Sequence, residues 1–183
     1  MRRLLMWNLV TLDGFFEGAQ PWDLGFHELV WGEELQRFST EQLDGADTLL
    51  FGRVTYEGMA AYWPNAKGEG DITRRMNAIE KVVVSNTLAS ADWNNSHILR
   101  GDGADAVEAL KARDGKDILV FGSAILSEAL TRRGLIDEYR IGIAPTLLGT
   151  GRRLFTDEAR RDLKLIGATT TKTGCTLLRY APA

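Results

Sequence analysis

With 183 residues, 44% of them hydrophobic and 26% charged, the chain has the length of one domain with a full core and a soluble globular balance, which excludes a disordered or membrane-spanning protein. The net charge of −3, with Lys and Arg scattered, leaves no electrostatic footprint for a general nucleic-acid binder. One cysteine, Cys175, and two histidines exclude an internal disulfide and a multi-cysteine zinc site, a usage that fits a reducing cytoplasm.

The chain starts MRRLLMWNLVTLDG, two arginines and an apolar run as in a signal peptide. Asn8 and Asp13 interrupt the run and no small-residue cleavage site follows, so the pattern predicts a first strand over Leu4–Val10. No run approaches the roughly 20 apolar residues that cross a bilayer. Further runs of strand length stand at Thr48–Phe51, Val82–Ser85, Ile118–Phe121 and Tyr139–Ala144. Val82–Ser85 and Ile118–Phe121 lack polar alternation, as strands buried on both faces do. Helical patterns cover Glu28–Leu43, Val54–Tyr62, Asp71–Ala78, Ala104–Arg113 and Ala124–Arg133, the last two ahead of Gly115 and Gly134 at helix-end positions. Residues 65–71, NAKGEGD, read as a mobile surface loop. After Gly134 a strand with a proline is followed by two strands around Lys172–Gly174, an antiparallel hairpin. The sum is a single α/β domain over residues 1–183: a mixed, mainly parallel sheet with helices on both faces and an antiparallel C-terminal end.

Three strand ends carry groups suited to a nucleotide. In TLLFGRVTYEGM a helix starts directly after a buried strand, so its unpaired N–H groups and dipole favour a phosphate. Gly52 permits close approach, Arg53 can fork onto phosphate oxygens and Thr55 adds a hydroxyl. The plainer alternative makes Gly52 a turn, Thr55 a cap and Arg53 half of an exposed pair with Glu57. The stretch ILVFGSAIL repeats the layout with Gly122, Ser123 and Ala124, small enough for a diphosphate to lie against the helix end. VVVSNT ends in Ser85 and Asn86, polar groups of the kind that hold a ribose or its phosphate. Such a set belongs at the carboxyl edge of an α/β sheet. Neither G-x-G-x-x-G nor the P-loop pattern is present.

Taken in order, NLVTLDGFFEG, TLLFGRVTYEGM, VVVSNTL, ILVFGSAIL and IDEYRIGIAPTLLGTGRRLF resemble, over essentially the whole chain, the dihydrofolate reductase superfamily, and within it the reductase domain of bacterial riboflavin biosynthesis, the C-terminal part of the bifunctional deaminase-reductases. The resemblance implies a dihydrofolate reductase-like fold, NADPH as hydride donor and a homodimer formed through the antiparallel end of the sheet. It assigns Gly52, Arg53 and Thr55 to the cofactor phosphates, Ser85 and Asn86 to the adenosine ribose and its 2′-phosphate, and Gly122, Ser123 and Ala124 to the turn beneath the diphosphate and nicotinamide. The family has a second glycine where this chain has Ser123. Val10 and Thr11 border the nicotinamide, under a lip formed by LDGF.

On the substrate side, AQPWDLGFHEL is similar to the segment in which a tryptophan precedes, by five residues, the carboxylate that holds a pterin. Trp22 matches; His27, followed by Glu28, occupies the carboxylate position. Hydride transfer to a C=N bond leaves negative charge on nitrogen that a nearby acid must quench, so Asp13, His27 and Glu28 are the candidate proton donors. Asp13 before Gly14 also reads as a turn residue, and His27 as a surface helix residue. Trp22, Trp31 and Trp63 suit an aromatic pocket or the core. Gly149 and Gly151 give a flexible turn before Arg152 and Arg153, which suit a substrate phosphate or solvent. Cys175 reads as a core residue. The zinc motif of the deaminase half cannot be built from one cysteine. The functional expectation is therefore a stand-alone reductase resembling 5-amino-6-(5-phosphoribosylamino)uracil reductase, acting on a pyrimidine- or pterin-like small molecule. The alternatives are a weak dihydrofolate or dihydropteridine reductase and a non-catalytic NADPH-binding module.

Overall fold

Apolar runs too short to be stable alone pair into one sheet. The computed structural model describes residues 1–68, 70–156 and 160–183. Its strands are β1 (Leu4–Thr11), β2 (Phe15–Glu17), β3 (Ala46–Gly52), β4 (Glu80–Val84), β5 (Ser96–Leu99), β6 (Asp117–Phe121), β7 (Glu138–Ala144), β8 (Arg152–Arg153), β9 (Leu163–Thr170) and β10 (Thr176–Pro182). Eight of them form a sheet in the order β5-β4-β3-β6-β1-β7-β10-β9, and β2 pairs with β8 apart from it. From β5 to β7 the neighbours are parallel; β10 runs antiparallel to both β7 and β9. The mixed sheet and its C-terminal hairpin are therefore as the sequence implies.

The helices are α1 (Glu33–Gly45), α2 (Arg53–Tyr62), α3 (Asp71–Ala78), α4 (Gly103–Lys111) and α5 (Ala124–Arg132). On one sheet face Leu49, Phe51 and Val83 pack with Leu43 of α1, Tyr56 of α2 and Met76 of α3. On the other, Leu50, Val82 and Val120 pack with Val107 of α4 and Leu130 of α5. Central strands are thus covered on both sides, and each such fully buried side chain is worth roughly 1.5–3 kcal/mol.

One expectation needs correction, and one strand went unread. The helix predicted from residue 28 starts at Glu33, after a short 3-10 turn over Gly25–His27. The backbone of residues 27–31 closes local turns, and the tip of the C-terminal hairpin docks beside it: Thr173 Oγ1 donates to the Val30 carbonyl at 2.8 Å and the Lys172 N–H donates to Glu34 Oε2 at 2.7 Å. β5, an edge strand with only two apolar residues between polar neighbours, gave no alternation to read. The loop expected at 65–71 is found between a 3-10 turn that ends at Asn65 and α3, which starts at Asp71; Glu69 lies outside the described residues. Among the described residues no helix is long and apolar enough to cross a membrane.

Candidate active site

Two strand–turn–helix junctions meet at the carboxyl ends of β3 and β6 and interlock. At the second, Gly122 (φ 61°) and Ser123 (φ 52°, ψ 46°) are both left-handed, a conformation that costs serine energy and persists only where neighbours enforce it. Those neighbours are identifiable. The Gly122 N–H donates to Asn8 Oδ1 at 2.8 Å, the Ser123 N–H to Thr55 Oγ1 at 2.9 Å, and the Gly52 N–H to Ser123 Oγ at 2.9 Å. A side chain on Gly122 would be strained by its positive φ and crowded, its Cβ standing 3.0 Å from Thr55 Cγ2. Because the Thr55 and Ser123 hydroxyls already accept from backbone N–H groups, each keeps its O–H to donate outward. The two helix N-termini they flank also leave first-turn N–H groups without intrahelical partners. Donors, dipoles and small residues together fit an anionic diphosphate, so these residues match a dinucleotide cofactor.

A cleft of about 570 Å³ opens above this pair of turns and is lined by Gly52, Arg53, Thr55, Gly122, Ser123 and Ala124, all six of the residues assigned to the cofactor phosphates at these junctions. Arg53 also makes the plainer contact, an ion pair to Glu57 at 2.9 Å on the exposed face of α2. The other cofactor assignments are placed differently. Ser85 Oγ accepts the Thr87 and Leu88 N–H groups of its own turn, and the Asn86 amide makes two hydrogen bonds with the Gly101 backbone beyond β5, so both are spent on the protein's own backbone. Val10 and Thr11 are buried in β1 outside the cleft lining, where Thr11 Oγ1 accepts the Phe15 N–H and donates to Asp13.

Beyond the turns the cleft deepens between the sheet and helices α1 to α3, and here its walls are aromatic. Four of the five tryptophans, Trp7, Trp22, Trp31 and Trp63, line it, together with Met59 and Phe121. Trp22 is 39% exposed with φ 64°, and its ring lies against Gly58: a Cβ there would fall 1.9 Å from Trp22 Cζ2. His27 also lines this end, with Nε2 buried and without a partner, and burial pushes its pKa down to about 4. The imidazole is therefore neutral at physiological pH. Arg152 stands at the rim, its guanidinium 5.8 Å from the Phe16 ring centre.

The proposed acids are not brought together. Asp13 is a turn residue whose carboxylate accepts from Thr11 Oγ1 and the Leu148 and Gly149 N–H groups; these bonds, led by that to Thr11, hold its pKa down at about 2. It carries no proton at neutral pH and does not line the cleft. Glu28 is exposed and also outside the lining. Cys175 is buried and its thiol pKa is pushed up to about 11 by that burial.

Asn8 is the residue that sequence reasoning missed. It is 5% exposed and lines the cleft, and because its Oδ1 must accept the Gly122 N–H, its Nδ2 is the atom left buried without a partner. An amide within an otherwise apolar strand was the available signal, since a buried polar group left unpaired costs about 1–3 kcal/mol and calls for a partner.

Among known proteins, the uncharacterized protein YyaP of Bacillus subtilis is 31% identical over 98% of this chain and 94% of its own length. Two solved structures share the fold. One, from Shewanella sp. PV-4 and provisionally assigned to riboflavin biosynthesis, has a TM-score of 0.78 at 20% identity and covers 99% of both chains. The other, the dihydrofolate reductase of Enterococcus faecalis complexed with NADP(H), has a TM-score of 0.64 at 11% identity over 98% of this chain and 96% of its own. The family model described as the RibD C-terminal domain matches residues 2–178, so this chain, with its dihydrofolate reductase-like fold, belongs to the RibD C-terminal domain family.

Proposed function

We propose that the protein is a stand-alone NADPH-dependent reductase that delivers hydride to a pyrimidine- or pterin-like ring. The observation that carries this reading is the interlocked pair of junctions, in which three backbone N–H groups are satisfied by Asn8, Thr55 and Ser123. The two hydroxyls that take part are thereby left to donate to a diphosphate. When bound, the nicotinamide supplies the hydride. The chain's own residues position the reactants: the first turns of α2 and α5 hold the phosphates, Arg53 adds charge from one side, and the tryptophan walls orient the acceptor ring.

Near pH 7 neutral His27 is too weak an acid to give its remaining N–H proton, and ionised Asp13 has none. The proton that follows the hydride is thus assigned to solvent water. The same fact favours a second reading, a non-catalytic NADPH-binding module. The assay that separates them follows loss of reduced-nicotinamide absorbance against a panel of pyrimidines, pterins and quinones: turnover with a member of the panel supports the reductase, and tight cofactor binding without turnover supports the module. A dihydrofolate reductase is disfavoured, because an uncharged imidazole cannot form the paired bonds that a carboxylate makes to an aminopyrimidine edge.

We also assign a homodimer to the free edge of β9, where Leu163, Leu165 and Ile166 are exposed on a strand with an unpaired outer side. Light scattering should give twice the chain mass, and Ile166→Lys should return it to the monomer value.

A further inference from the structure

The deep end of the cleft is built for an uncharged guest. Among the described residues, the cations that line the cleft are Arg53, which opens α2 and pairs with Glu57, and Arg152, at the rim beside Phe16. Neither stands in the recess between α1 and α3. The acid among the lining residues, Glu17, already accepts the Trp22 N–H at 2.6 Å. A phosphate or carboxylate carried into the recess would lose its water with no cation to replace it, and an ammonium would meet no free carboxylate. What the recess does offer is largely aromatic: Trp31, Trp63 and Phe121 line it with Met59, beside the uncharged Ser39 and Gln42 of α1, and aromatic side chains pair well with planar rings. Two buried polar atoms without a partner line the cleft, Asn8 Nδ2 beneath the Gly122 turn and Nε2 of neutral His27 at the tryptophan end, each enough for a single hydrogen bond to a heteroatom on a ring edge.

We propose that the acceptor recess takes an uncharged, planar conjugated ring with few polar edge atoms, which narrows the pyrimidine- or pterin-like class to members without a phosphorylated sugar and admits quinones of the same shape. The proposal rests on the reductase reading only in naming this guest the acceptor; the binding preference belongs to the recess itself.

The tryptophans provide the readout. Titration of the apoprotein with 1,4-naphthoquinone, followed by tryptophan emission, should quench saturably. The 2-sulfonate of the same ring should bind at least about tenfold more weakly, a difference of roughly 1.4 kcal/mol. His27→Leu should weaken naphthoquinone about fivefold, the scale of one hydrogen bond, while leaving NADPH affinity as it was. Equal or tighter binding of the sulfonate overturns the proposal, as does the lack of saturable quenching by either compound. NADPH affinity is measured separately by calorimetry. Naphthoquinone selectivity without NADPH binding would sink the reductase reading and leave the recess assignment standing; NADPH binding without that selectivity would do the reverse.

Discussion

The two halves of the cleft are made in different ways. The cofactor half comes from two short contiguous stretches, each a buried strand followed by a small-residue turn and a helix start, held together by side chains that satisfy one another's backbone. The acceptor half is gathered from β1, the segment around Trp22–Trp31, and helices α1, α2 and α3, and it holds an imidazole that burial keeps uncharged. The first is locally encoded and rigid by hydrogen bonding. The second is a product of tertiary packing, so its properties should respond to changes in shape and burial rather than to the loss of any one contact.

That contrast can be broken most severely at Gly122. Gly122→Val forces a β-branched residue into φ 61° and against Thr55, and should weaken NADPH by more than about 100-fold, near 3 kcal/mol, in a calorimetric titration. The acceptor half should instead show itself through pH. Burial lowers the His27 pKa to about 4 from its ordinary 6.5, so between those values the unfolded chain binds more protons than the folded one. The stability this preserves is complete above about pH 6.5 and is lost as the pH falls toward 4, by at most roughly 3 kcal/mol. Urea midpoints at about pH 7 and pH 5 should differ in the native protein and converge in His27→Leu.

Gly58→Ala tests shape alone. It should gain about 0.5–1 kcal/mol of helix propensity, yet push the Trp22 ring out of the cleft and diminish the near-ultraviolet circular dichroism of the packed tryptophans. An unchanged spectrum would show that Trp22 is not seated on α2. The smallest effect is expected for Arg53→Ala, about fivefold weaker NADPH, because this guanidinium is 44% exposed and already shared with Glu57. Undiminished affinity would remove Arg53 from the phosphate site.

Legibility in the sequence follows the same division. Gly52, Thr55, Gly122 and Ser123 were readable as two strand–turn–helix junctions because strand, turn and helix lie within a dozen residues, and the buried apolar runs marked β1, β3, β4, β6 and β7. Ser85 and Asn86 carry the same residue chemistry but spend it on backbone groups, Ser85 in its own turn and Asn86 on Gly101 beyond β5, a use that composition cannot separate from ligand binding. Asp13 failed as an acid for a related reason: the 148–149 loop that holds its carboxylate is more than 130 residues away in the chain. His27 was named from its position after Trp22, but its neutrality depends on burial that no local pattern reports. Asn8 looked like an interruption in a strand, and only the pairing of β1 with β6 brings it to the Gly122 turn.

The central claim is that the interlocked turns form a cofactor crevice, and calorimetric titration of the purified protein with NADPH and, separately, NADH addresses it directly. Binding in the micromolar range that prefers NADPH is the predicted result. Heat of binding absent for both nucleotides would contradict it, leaving a reductase fold whose cofactor site no longer functions.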